Sequence, residues 1–215
     1  MDLRSLDIRE LALPDVFLLT SRRLADGTGA RYEVFRQEWV EEAAGRPFVI
    51  RESALSVVDR GVLRGIHGTS AGAVLLSCAR GAALLAVVDL RTGSPAFGRY
   101  ETVWLDHRSP AAVLVSEGLG HAVLVLDDDT VLSAHGSRPQ TAGAGYTVSA
   151  LDPALALPWG LTEAPAMSDR DLAAPTAEEA VAKGLLPSYA DCLELYGRSV
   201  TPVTEVGHGP AAVSD

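Results

Sequence analysis

Few side chains in this chain could carry acid–base, metal or nucleophilic chemistry: five histidines, two cysteines and one lysine, Lys183. The histidines are His67, His107, His121, His135 and His208. Many metal-binding barrels begin their ligand set with His-x-His, but here His67 is followed by Gly68 and Thr69, and His121 stands alone further on. Two histidines without a placed carboxylate suit a transition metal poorly, so no metal and no other cofactor is expected. Cys78 and Cys192 show neither zinc spacing nor a disulfide framework and read as a reduced pair. Gly93–Gly98 is turn chemistry rather than a phosphate loop, because no helix follows it. Asp127, Asp128 and Asp129 read as a solvated hairpin turn, Trp104 and Trp159 as core or rim aromatics, and His107 and His208 as exposed residues without a role.

The elements that must position these groups are short strands. Hydrophobic residues make up 47% of the 215 residues and charged residues 21%, enough for one domain with a substantial core. From Phe48 to about Ser149 apolar runs recur at hairpin spacing: 48–50, 53–58, 62–67, 74–78, 82–89, 100–105, 112–115, 121–126, 130–134 and 146–149. Gly, Pro, Asp and Ser separate them, which predicts a sandwich or barrel of the jelly-roll kind. Strand character is also expected at Leu11–Leu13, Phe17–Thr20 and Tyr32–Phe35, with a turn at 25–29 and a short acidic helix at Gln37–Ala44 stopped by Gly45. Beyond a Pro-rich stretch, Thr176–Lys183 predicts a helix with Thr176 and Glu179 as a capping box, and Ser188–Tyr196 a second. Residues 1–196 read as one domain and 197–215 as a flexible tail.

A net charge of −10 without a basic cluster argues against nucleic acid. No stretch has the ~18 apolar residues of a spanning helix, and the N-terminus lacks signal-peptide form, so no membrane association and a cytoplasmic location are expected.

Several segments resemble the dTDP-4-dehydrorhamnose 3,5-epimerase family, including the dTDP-4-keto-6-deoxysugar epimerases of antibiotic pathways. They are Gly61-Val-Leu-Arg-Gly-Ile-His67, Val88-Asp-Leu-Arg-Thr-Gly-Ser-Pro-Ala-Phe-Gly98, Glu117-Gly-Leu-Gly-His121, Leu151-Asp-Pro153 with Leu157-Pro-Trp159, and Met167-Ser-Asp-Arg-Asp171. Gly184–Cys192 resembles the family's C-terminal extension, and the match runs in order from about Leu11 to Tyr196. The resemblance implies an all-β cupin jelly-roll barrel with short C-terminal helices, a homodimer that exchanges N-terminal strands, no metal, and a dTDP-hexulose in the barrel. It also implies a mechanism. A His–Asp pair removes a proton beside the C4 ketone, a lysine stabilises the enolate, and a tyrosine on the other face returns a proton.

Carried over by position, His67 is the base and Asp171 its partner. Arg64, His121 and Glu33 fall at substrate or nucleotide contacts, and Trp159 lies in a family-like segment near the pocket. Other positions depart from the pattern. Val74 stands where the lysine is expected and Ala134 where the tyrosine is; the early arginine falls at Thr28, and the usual Gln-x-Asn-x-Ser reads Glu52-Ser-Ala54-Leu-Ser56. The loop after His67 is shortened.

An enolate needs a nearby cation or donor, worth ~3–4 kcal/mol of barrier, which Val74 does not supply. Inversion needs an acid on the far face, worth roughly 10²–10⁴-fold, and Ala134 has no proton to give. On a regular strand Ser133 and His135 point away from Ala134's side, although His135 is the nearest titratable replacement. The His67–Asp171 pair still suits proton transfer, since a carboxylate fixes the tautomer and raises the basicity of an imidazole; equally, a buried His–Asp bond can persist as packing.

Three readings follow: a 3- and/or 5-epimerase of dTDP-4-keto-6-deoxyhexoses; an epimerase-fold enzyme turned to a non-nucleotide natural-product intermediate, where Glu52 would repel a diphosphate; and a non-catalytic binding homologue.

Overall fold

The structure, a computed structural model, describes residues 5–139 and 145–195. Among them the strands are β1 (Leu6–Glu10), β2 (Val16–Ser21), β3 (Leu24–Asp26), β4 (Gly29–Arg31), β5 (Glu52–Val58), β6 (Leu63–Gly68), β7 (Val74–Arg80), β8 (Ala82–Val88), β9 (Tyr100–Asp106), β10 (Ala111–Val115), β11 (Gly120–Val125), β12 (Thr130–Gly136) and β13 (Tyr146–Thr147). The helices are α1 (Gln37–Ala44), α2 (Asp169–Leu172), α3 (Ala177–Ala182) and α4 (Tyr189–Leu195).

Two sheets carry the fold. One has the order β1-β2-β10-β7-β12-β5 and the other β13-β6-β11-β8-β9; β3 and β4 form a separate hairpin. Short links join β5 to β6, β7 to β8, β9 to β10 and β11 to β12, each time crossing between sheets. The sheets therefore lie face to face as a jelly-roll barrel. Leu76 and Val113 of one sheet meet Leu85, Val87 and Val123 of the other in the interior. The outer face of the six-stranded sheet is covered by Val40 and Ala44 of α1 and by Phe48 just beyond it. The outer face of the five-stranded sheet is covered by the C-terminal segment through Leu155, Trp159, Ala177 and Ala180. Burial on both faces explains why β8 reads as a continuous apolar run, Ala-Ala-Leu-Leu-Ala-Val-Val, instead of alternating.

Most expected elements form. Helix α1 has the predicted bounds, and the capping box of α3 is made in both directions, Glu179 N to Thr176 Oγ1 and Thr176 N to Glu179 Oε2. Asp152 adds a second cap by accepting from Ala177 N at 2.7 Å. The strand expected at Leu11–Leu13 is instead the reversal between β1 and β2. Leu6–Glu10 pairs antiparallel with Phe17–Ser21, and Leu11 N closes the turn on Val16 O at 2.8 Å. Tyr32–Phe35 and Phe48–Ile50 are likewise not strands. Their apolar side chains serve packing without a ladder partner, as in the edge-to-face contact of Phe35 with Phe48 at 5.8 Å. The tail 197–215 lies outside the described residues.

Candidate functional site

The site is built at one end of the barrel, where β6 ends. Two residues of β6 between Arg64 and His67, Gly65 and Ile66, face only one of β11, Ala122, between Val123 and His121. This extra residue places both Arg64 and His67 on the interior face, opposite Val123 and His121. Gly65 makes it possible: its φ is +102°, and a Cβ there would sit 2.5 Å from His121 O. Gly68 allows a second close approach, since a Cβ would strike the Tyr146 ring at 2.3 Å. Tyr146 donates to Gly118 O at 2.9 Å, and its burial pushes the phenol well above its ordinary value. It thereby anchors β13 against β6, with Thr147 opposite His67.

Asp171 reaches His67 from α2. Ser168 is the N-cap of this short helix, and its hydroxyl accepts from Asp171 N at 3.2 Å while donating to Asp171 Oδ2 at 2.9 Å. Arg170 donates to Thr147 Oγ1 at 2.7 and 3.0 Å and so ties α2 to β13. The remaining carboxylate oxygen, Oδ1, lies 2.6 Å from His67 Nε2. Asp171 is 2% exposed, whereas the His67 side chain is 36% exposed and open to the barrel. With Nε2 engaged by the carboxylate, Nδ1 is the nitrogen left to take a proton. The sequence carries a local signal for this helix. Ser168-x-x-Asp171 has the form of a capping motif, and the dyad aspartate is its third helical residue.

His121 is the register partner of His67. Burial first, and then the neighbouring His67, push its imidazole down to about 4, so it is neutral at pH 7. Val74 and Ala134 also face the interior, packed against the core cluster, at the positions where a lysine and a tyrosine were expected. The fold thus places Arg64, His67, His121 and Asp171 at the end of the barrel where Val74 and Ala134 also lie.

Two expected residues, Glu33 and Trp159, lie elsewhere. Glu33 is taken up by Ser5 and Arg36 outside the barrel, which lower its carboxyl. Trp159 is a correction: it is 8% exposed in the cluster on the outer face, donates to Ala150 O at 2.8 Å, and borders a hollow with Asp152, Pro153 and Leu157 that includes neither dyad residue. His135 points away from the interior, as the strand alternation predicts. It bonds Ser133 Oγ at 2.7 Å and Ser53 Oγ at 2.9 Å on the outer face of β12 and β5. Trp104, on edge strand β9, is 60% exposed and thus a rim residue. Among the described residues no group of three or more His, Cys, Asp and Glu side chains could hold a metal ion.

Residues 10–179 match the sequence profile of the dTDP-4-dehydrorhamnose 3,5-epimerase family. The chain belongs to this family. The dTDP-4-dehydrorhamnose 3,5-epimerase of Mycolicibacterium smegmatis is 38% identical over 187 residues, 86% of this chain and 92% of the relative. Among solved structures, the epimerase fold is shared with NovW, a 4-keto-6-deoxy sugar epimerase from the novobiocin biosynthetic gene cluster of Streptomyces spheroides. The TM-score is 0.84 and the identity 37%, over 88% of this chain and 96% of that one. ChmJ, a 3'-monoepimerase from Streptomyces bikiniensis solved in complex with dTDP-quinovose, matches with a TM-score of 0.84 and 37% identity, over 87% and 96% of the two chains.

Proposed function

We propose that this protein is a dTDP-4-keto-6-deoxyhexose 3- and/or 5-epimerase of natural-product biosynthesis, in which His67 removes a proton α to the ketone. The observation that carries this reading is the 2.6 Å contact of His67 Nε2 with Asp171 Oδ1, whose other oxygen is held by Ser168. Asp171 orients the ring, stabilises the imidazolium that forms, and leaves Nδ1 facing the substrate. Arg64, on the same face as His67, supplies a cation for the bound sugar nucleotide. The protein acts in the cytoplasm as a homodimer. In support, edge strand β5 leaves Leu55 and Val57 71% and 67% exposed, and a second copy would cover them.

The test is incubation with dTDP-4-keto-6-deoxyglucose in heavy water, following mass gain at C3 and C5. Incorporation that disappears in His67→Ala is expected, and the labelled carbon names the epimerase. A second reading is favoured by the apolar wall of Val74 and Ala134: a non-nucleotide intermediate, or a ligand bound without turnover. Absence of both exchange and dTDP binding would select it.

A further inference from the structure

The interior wall opposite the dyad contains a carboxyl group at the level where a proton donor is missing. In the six-stranded sheet Glu52 is in register with Gly136, Gly136 with Val74, and Val74 with Val115. One step down, Ala54 is in register with Ala134, and Ala134 with Leu76. Directly paired residues share a face, and Leu76, Val74 and Ala134 pack on the interior cluster, so Glu52 faces the interior too. Of these two rows, Glu52 alone carries an ionisable group.

Its height in the barrel is set by topology. Strand β5 begins at Glu52 and runs to the turn that starts β6, which returns to end just past His67. Glu52 and His67 therefore lie at the same end of facing sheets. Inversion at a carbon demands this disposition, with the base on one side of the ring and the acid on the other. Glu52 is also the diagonal neighbour of Ala134 across the β5–β12 pair. Such neighbours have Cβ atoms roughly 7 Å apart, within reach of long side chains, and Gly136 beside it presents no side chain to block the way.

We infer that Glu52 is the acid that returns the proton, in place of the tyrosine that Ala134 lacks. The inference rests on the function proposed above. His67 Nδ1 takes the proton, and the C–H electron pair becomes the C=C of an enolate with its charge on the C4 oxygen. The enolate pair then forms a new C–H bond on the opposite face with the proton of the Glu52 carboxyl group, and the C4 carbonyl re-forms. Glu52 is left as carboxylate and His67 as imidazolium, and one proton passing between them through solvent resets the site. No oxidant or reductant is consumed.

The experiment follows dTDP-4-keto-6-deoxyglucose in heavy water, reading label and configuration separately, for the native protein, Glu52→Gln and His67→Ala. Glu52→Gln is nearly isosteric and is expected to keep deuterium exchange while losing inverted product by roughly 10²-fold or more. His67→Ala should lose both. Formate added to Glu52→Ala, or Ala134→Tyr placed in the Glu52→Gln background, should restore inversion. Equal inversion by Glu52→Gln and the native protein would overturn the role of Glu52 and leave the dyad chemistry intact, as would exchange with retained configuration in the native protein. No exchange by the native protein would instead overturn the epimerase reading, and the role of Glu52 with it.

Discussion

Asp171 Oδ1 lies 2.6 Å from His67 Nε2 across 104 residues of sequence, and Asp171 Oδ2 is held at 2.9 Å by the hydroxyl that caps its own helix. One serine thus starts the helix and orients the carboxylate. Asp171→Asn removes the charge that stabilises the imidazolium and permits the wrong tautomer, so exchange should fall by roughly 10²–10⁴-fold. Ser168→Ala leaves the charge but frees the carboxylate and uncaps α2, at a cost of about 1 kcal/mol to the fold. Its expected effect is a smaller fall in kcat with KM little changed. Steady-state kinetics with circular dichroism on both variants checks the order of the two losses.

Val74 predicts a gain. It stands on the interior face where an enolate-stabilising cation was expected, and it offers the developing oxyanion only methyl groups. A properly placed donor is worth ~3–4 kcal/mol, or 10²–10³ in rate. Val74→Lys should therefore raise the initial rate of deuterium incorporation by ~10-fold or more. An unchanged rate would show that the substrate's oxygen lies away from β7, nearer Arg64.

The barrel was legible because its physics is local. Turn residues punctuate short apolar runs, and ten strands of the two main sheets, from β2 through β13, fall on segments read as apolar runs. The dyad residues were legible as motif positions, but the means of bringing them together was not. The extra residue between Arg64 and His67, the approach that Gly65 permits and the Arg170–Thr147 tie all depend on pairings between distant segments. Trp159 misled for a related reason. An aromatic in a Pro-rich segment can face either side of a sheet, and only the path of the C-terminal cover places it outside.

Arg91 predicts a large loss of stability without a direct effect on chemistry. Its side chain is fully buried, donates to both oxygens of Asp89 at 3.0 and 2.7 Å and to Asp15 at 2.8 Å, and lies 4.8 Å from the Tyr189 ring. Burial pulls its pKa down most strongly, but the hydrogen bonds and charges of Asp89 and Asp15 together outweigh it and raise the value above the ordinary range. Arg91→Met would leave Asp89 and Asp15 buried without their cation, a change that typically costs 3–5 kcal/mol. The urea midpoint should fall accordingly. The triple change Arg91→Met, Asp89→Leu and Asp15→Gly should recover much of the loss, because it removes the stranded charges as well.

His121 makes stability depend on pH in a defined window. Its folded value is about 4, against 6.5 unperturbed, so the unfolded chain binds a proton that the native barrel refuses. Its contribution is fully present above about pH 6.5 and is lost as pH falls toward 4, because stability rises with pH wherever the unfolded state holds more protons. A shift of this size corresponds to about 3 kcal/mol as an upper bound, and to less in practice, since part of the residue still meets solvent at the mouth of the barrel. Urea midpoints at pH 7 and pH 5 should therefore differ in the native protein, and the difference should shrink in His121→Gln, which has no proton to gain. If the two proteins lose stability equally between those pH values, the acid sensitivity belongs to groups other than His121.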